Sequence, residues 1–251
     1  MTQLPLHLAE LTYPQAAEIE GAIGLLPAGA TEAHGPHLPL NTDVIISVTA
    51  AEHAARILRS EGRGAIVMPP LAYAVTEFAA DFRGTISISL ETARHLVRDV
   101  LVGTRRAGLA GVVICNAHLE PGNLQALREG MELARADGIL AEFPDVTRKP
   151  HALRLGDEFK SGACHAGRYE TSLVMAANPF LVRREISEGL EPNPKSLSVA
   201  IREGKTSFLE AGGPDAYFGY PAEATESEGE ELYAILADIY ATAARGLLGS
   251  I

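Results

Sequence analysis

The stretch "AIGLLPAG", residues 22–29, is a short apolar run closed by Pro27 and Gly29. It reads as a buried strand that runs into a loop. "GVVICNAH", residues 111–118, has the same character. "GAIVMPPLAY" (64–73) and "ILAEF" (139–143) are further expected strands, the first broken by Pro69 and Pro70. "GTISISL" (84–90) alternates and is rich in β-formers, so it too is expected as a strand. Between these lie stretches of helical length: "VIISVTAAEHAARILRSEG" (44–62), "ETARHLVRDVLVGTRRAG" (91–108) and "NLQALREGMELARADG" (123–138). Buried apolar strands alternating with helices specify an α/β fold with a mostly parallel sheet covered on both faces.

In such folds ligands sit beyond the carboxyl ends of the strands, so the segment after each strand carries the functional question. "GATEAHGPHLPLNTD", residues 29–43, comes directly after the first strand. Glu32 and His34 are one residue apart and point to the same side in extended backbone. Gly35 and Pro36 exclude a regular helix and allow a tight turn that brings Asp43 back toward them. Singly these residues would read as a solvated loop. Together, a mixed set of carboxylate and imidazole suits Zn, Mn or Fe(II) better than Mg or Ca. "NAHLEPGN" (116–123) repeats the arrangement after another strand, with His118 and Glu120 one residue apart. "HAGRYETS" (165–172) pairs His165, a candidate general acid or base, with Glu170, a candidate ligand or orienting partner at a helix start. Cys115 reads as a small core residue, and Cys164, beside His165, keeps a nucleophile reading open.

The second half is less regular. Residues 144–167 are polar, and 183–221 are rich in Gly, Pro and Ser. "RYETSLVMAANPFLV" (168–182) is a helix ending near Pro179, and "ELYAILADIYATAARGLLG" (231–249) is an amphipathic final helix. Ser227 and Glu230 before it have the spacing of a capping box. No linker or repeat interrupts the chain, so one domain over 1–251 is the economical organisation.

Composition narrows the partners. Of 251 residues, 47% are hydrophobic, enough for a sizeable core, and the net charge of -11 repels phosphate backbones, arguing against nucleic acid. The same charge favours a neutral or cationic substrate. No apolar run approaches the roughly 18 residues that span a bilayer, so no membrane is expected. The start, "MTQLPLHLAELTYPQ", does not read as a signal peptide, which makes the cytoplasm the expected compartment.

"GATEAHGPHLPLNTD" resembles the signature of the creatininase family, G-(S/A)-x-E-x-H-G-x-H-L-P-L-x-T-D. "NAHLEPGN", "HAGRYETS" and "GYPAEATESEG" (219–229) are similar to its later motifs, in order. The resemblance implies a three-layer α/β/α fold and a homo-oligomer, a hexamer in some members. It also implies a metal-dependent amidohydrolase that holds two divalent ions, Zn first, with Mn or Fe(II) as alternatives. Carried over, Glu32 and His118 would bind one ion, His34 the other, and Asp43 both. Glu120 matches a second-ion ligand, and His165 a proton-transfer residue. Many members read N-G-H-G-G-N, without an acid two residues past the histidine, so Glu170 is the alternative to Glu120. His37 is left a structural role. The expected reaction is hydrolysis of an amide, lactam or formamide C–N bond of a small molecule by hydroxide formed between two ions. Cleavage of an ester or cyclic ketone, or a non-catalytic member of the fold, are the other readings. Creatinine-hydrolysing members cover their substrate with tryptophans; this chain has none, so creatinine is not the expected substrate. Tyr169, Phe218 and Tyr220 are candidates for the pocket wall.

Overall fold

Strand β1 (Ile23–Ala28) lies near the centre of a four-stranded sheet of order β2-β1-β3-β4, in a computed structural model that describes residues 4–249. The ends of the expected 1–251 domain, residues 1–3 and 250–251, fall outside the described residues, as does the very start of the expected non-signal N-terminus. β2 is Ala65–Val67, β3 Gly111–Asn116 and β4 Ala141–Glu142. Every pairing is parallel, with Ile23 opposite both Ala65 and Gly111. All residues of β1, β2 and β3 are buried, which is why their sequences are continuously apolar.

Alternation along the strands divides the core between two faces. Ile23, Leu25, Val67, Val113 and Cys115 pack in one cluster with helices α1 (Thr42–Ser60), α4 (Arg168–Ala177) and α5 (Glu226–Leu248). Leu26, Ala28, Ile66, Val112 and Ile114 face α2 (Leu90–Gly103) and α3 (Pro121–Ala136). The result is the expected three-layer α/β/α arrangement. No helix among the described residues is long and apolar enough to cross a membrane.

Three local expectations are corrected. "GTISISL" does not join the sheet and makes only the single bridge Ala74–Ser87. Its backbone donors are already committed, Ile86 N–H to Thr31 O at 2.9 Å and Ile88 N–H to Ala74 O at 3.0 Å, so it braces a loop instead. The cap of α5 is Thr225, whose side chain accepts from the Glu228 N–H at 3.2 Å, not Ser227 with Glu230. The sequence TESEGE contains two overlapping capping patterns, and the helix takes the earlier. Finally, Asp43 lies in the first turn of α1 rather than in the loop before it, where a carboxylate is favoured by the helix dipole.

Candidate metal centre

The loop after β1 is held in one shape by its own backbone. Glu32 N–H donates to Leu40 O at 3.0 Å, closing the loop, and Gly35 N–H donates to Ala216 O at 2.7 Å. Gly35 has φ 61°, the left-handed turn that the Gly-Pro pair allows. At Gly29 an added Cβ would stand 2.7 Å from the backbone of Asp43 and Val44. Only glycine lets the end of β1 press onto the first turn of α1, and that contact brings Asp43 beside Glu32 and His34.

Beyond β3 the Ala117 N–H continues the ladder to Ala28 O at 3.0 Å. The side-chain amides of Asn116 and Asn123 both donate to His118 O, at 2.7 and 2.8 Å, and so fix its backbone. Before α4, Ala166 takes φ 48°. This left-handed residue turns the chain between His165 and the helix that carries Glu170, and its N–H donates to Glu170 Oε2 at 2.6 Å.

Three segments thereby converge. Glu32, His34, Asp43, His118, His165 and Glu170 are each at most 8% exposed, while Glu120 is half-buried. Asp43 lies between two histidines, its Oδ1 3.1 Å from His34 Nε2 and its Oδ2 3.1 Å from His118 Nδ1. Glu32 Oε1 is 3.2 Å from His118 Nδ1 and 3.7 Å from His34 Nε2. Glu170 Oε2 is 3.6 Å from His34 Nε2. Ligand atoms of His34, Asp43 and Glu170 lie within 4.8 Å of one another, as do those of Glu32, His118 and Glu120, and of Glu32, His34 and His165.

The hydrogen bonds orient these atoms for a cation. A carbonyl only accepts, so the ring nitrogen facing one carries the proton. His34 Nδ1 faces Glu32 O at 3.2 Å, His118 Nε2 faces Val75 O at 2.8 Å, and His165 Nε2 faces Ala33 O at 3.0 Å. Each histidine therefore aims its other nitrogen at the carboxylates. The buried Asp43 Oδ2 has no hydrogen-bond donor aligned on it. Carboxylate oxygens and imidazole nitrogens pointed at one another in a buried space call for positive charge between them.

Without an ion, only protons supply it. Burial alone would lower the His34 imidazole, but Asp43, Glu170 and Glu32 outweigh it and raise the group to about 10. Burial opposes the charge of His118 too, and Glu32 and Asp43 raise it well above its ordinary value. Burial disfavours ionised Glu32 and Asp43, yet their histidines hold both carboxyls below the usual range. Two charged histidines then balance two carboxylates and nothing remains for the third: burial, with Asp43 adding to it, pushes Glu170 up to about 8. His165 is different. Burial and the neighbouring His34 depress it to about 4, so its imidazole is neutral at neutral pH. It stacks between His34 and Phe208, with centroids 4.4 and 4.2 Å away.

The alternatives left open by the sequence separate geometrically. Glu120 points toward the cluster, but its oxygens accept from the N–H groups of Glu77 and Phe78 at 3.0 and 3.1 Å. Burial raises it as well. Glu170 lies on the His34 side of Asp43, Glu120 on the His118 side. His37 is buried, bonded through Nε2 to Thr171 Oγ1 at 2.9 Å. Cys115 is core. Cys164 lines the cavity over the cluster, but burial, with Glu170 and Glu158 nearby, raises its thiol well above the ordinary value, against a nucleophile role.

That cavity is about 500 Å³ and is walled by Phe78, Leu119, Leu153, Phe159, Ile201 and Phe208 among others. The three aromatic residues expected there belong elsewhere. Tyr169 and Phe218 are buried in the core, and Tyr220 does not reach the cavity. Leu153, Phe159, Ile201 and Phe208 come instead from the two irregular segments, whose lack of periodicity hid them. Two supporting residues also lacked any sequence signal. Thr76 Oγ1 donates to Glu32 Oε2. The buried Glu158 accepts from the N–H groups of Arg168, Tyr169 and Tyr220, at 2.9, 2.7 and 2.7 Å, and so caps α4.

The family profile of creatininase, creatinine amidohydrolase, matches residues 9–244. A mycofactocin precursor peptide peptidase of Mycobacterium ulcerans (strain Agy99) is 33% identical over 222 residues, 85% of this chain and 81% of that one. A creatinine amidohydrolase of Pseudomonas putida is 31% identical over 180 residues, 63% of this chain and 65% of that one. The solved manganese form of a creatininase shares the fold with a TM-score of 0.73 at 23% identity, covering 97% of this chain and 98% of that one.

Proposed function

The chain belongs to the creatininase family and is a hydrolase of C–N bonds, and on that premise we propose that it cleaves an amide of a small molecule or short peptide at a centre of two divalent ions. The observation that carries this reading is the position of Asp43, one oxygen toward His34 and the other toward His118. A carboxylate so placed would serve two ions at once. His34, Asp43 and Glu170 would hold one ion, and Glu32, His118 and Asp43 the other. Divalent ions held there would polarise a scissile carbonyl and lower the pKa of bound water. Mixed oxygen and nitrogen donors favour Zn, with Mn or Fe(II) as alternatives. The name of the mycobacterial relative favours a peptide amide over a lactam, and the absence of tryptophan argues against creatinine.

The protein's own groups then handle protons and position. His165, neutral and anchored by its Nε2–H on Ala33 O, presents Nδ1 as a base. It takes a proton from attacking water and returns it to the leaving nitrogen. Phe208 keeps the ring in place by stacking, and Thr76 fixes Glu32. Glu120, held by two backbone amides beside the His118 side, is a second proton carrier for the amine that leaves.

Two substitutions test these assignments. His165→Ala is expected to retain its metal while kcat falls by about 10²–10⁴-fold, the usual contribution of a positioned acid or base. Metal analysis beside steady-state kinetics separates the roles, since lost metal would make His165 a ligand. Glu170→Gln is expected to lose one of two metal equivalents, whereas Glu120→Gln keeps both and loses rate. The opposite pattern in the metal content would make Glu120 the ligand. Release of amine from an amide panel, with no turnover of matched esters or cyclic ketones, checks the bond class.

A further inference from the structure

The mouth of the cavity reverses the charge of the chain. The protein carries a net charge of -11. Yet, apart from the carboxylates and histidines of the cluster, the charged residues lining the cavity are Lys149, Lys160 and Arg202. Lys160 is tied to Asp157 at 2.6 Å. The side chains of Lys149 and Arg202 are exposed and have no ion pair or hydrogen-bond partner among the described residues. Elsewhere arginines close on carboxylates, as Arg98, Arg128, Arg135, Arg154 and Arg245 do. The two free cations come from separate segments, one before the short 3-10 helix His151–Arg154 and one ending the short helix Leu197–Arg202. Both are exposed and line this same cavity, whose apolar walls concentrate their field. The arginine pairs at 105–106 and 183–184 do not line this cavity.

We propose that the substrate carries a free carboxylate away from the bond that is cut, and that Lys149 and Arg202 bind it at the cavity mouth. The inference rests on reading the cluster as the C–N hydrolysis site. An acidic surface repels anions, so an anionic substrate needs a local cationic entrance, and a guanidinium and an ammonium lining one cavity suit a carboxylate. An amide at the cluster and a carboxylate at the mouth describe an N-acylated amino acid or a short peptide. The preference for neutral or cationic substrates expected from net charge is reversed at this opening.

The test is a matched pair of probes, N-benzoylglycine and its neutral carboxamide, titrated calorimetrically into the metal-loaded protein. The carboxylate is expected to bind about tenfold more tightly, a difference typical of a well-placed charge contact. The double variant Lys149→Gln, Arg202→Gln leaves the cluster intact and is expected to abolish that preference without changing affinity for the carboxamide. Equal affinities, or no binding of either probe, overturn the proposal. A preference that survives in the double variant also overturns it, because the cluster itself would then hold the carboxylate. None of these readouts requires turnover. Tight, variant-sensitive carboxylate binding with no cleavage of any amide would count against the hydrolytic reading and leave anion recognition standing.

Discussion

Asp43→Ala is expected to empty both metal positions at once and to lower turnover by at least about 10³-fold, the several kcal/mol that metal ions supply to charge stabilisation. The expectation rests on geometry. Each oxygen of Asp43 approaches a different histidine, His34 on one side and His118 on the other, both at 3.1 Å. Glu32 approaches both histidines through a single oxygen, Oε1, at 3.2 and 3.7 Å, whereas Asp43 turns a separate oxygen to each, so its removal takes a donor from both sides. The variant should still fold. Asp43 sits in the first turn of α1, where alanine is a good helix former and only a favourable charge at the helix start is lost. The measurement is elemental analysis of folded variant protein together with its rate on whichever amide the wild type cleaves. Normal metal content with lost activity would make Asp43 a catalytic group rather than a shared ligand.

Chelation is the second large effect. Stripping the ions is expected to abolish turnover and to lower the melting temperature by roughly 8–16 °C for each of the two ions. An ion present at about 1,000 times its Kd contributes about 4 kcal/mol, and about 2–4 °C accompanies each kcal/mol in a chain of this size. Readdition of Zn or Mn should restore both. The pH dependence has a definite sign. In the metal-free protein the carboxylates around His34 hold it, against burial, at about 10, above the ordinary 6.5. A group raised on folding stabilises fully below its unfolded pKa and ceases to do so as pH rises through the folded one. The metal-free protein therefore loses this contribution between about pH 6.5 and 10. The ion needs the nitrogen that bears that proton, so its binding tightens over the same interval. The melting-temperature gap between loaded and stripped protein should widen from pH 6.5 to about 9. A constant or narrowing gap would mean that protons and metal do not compete at His34.

The sheet was legible because β1 and β3 are buried on both faces, which leaves a continuous apolar run that nothing else explains. "GTISISL" shows the limit of that signal. Its alternation is real, but its N–H groups pair with Thr31 and Ala74 beside the loop rather than with a sheet edge, a tertiary choice that local propensity does not encode. At the cluster, the sequence announced the residues through repetition: a carboxylate and a histidine one residue apart, twice, each after a strand. It did not announce how Glu120 and Glu170 divide, since that depends on whether Glu77 and Phe78 offer their amides to Glu120. The pocket wall was illegible for a related reason. Phe208 and Phe159 lie in segments without periodicity, and only the close stacking of Phe208 on His165 reveals the former's place. Glu158 was hidden likewise, because a carboxylate that caps a helix from ten residues upstream leaves no spacing rule to read.

The central claim is that one carboxylate serves two ions. Anomalous diffraction from crystals of zinc-loaded protein tests it most directly. Two peaks are expected on either side of the Asp43 carboxylate, one beside His34 and Glu170 and the other beside Glu32 and His118. A single peak, or none, would contradict the account.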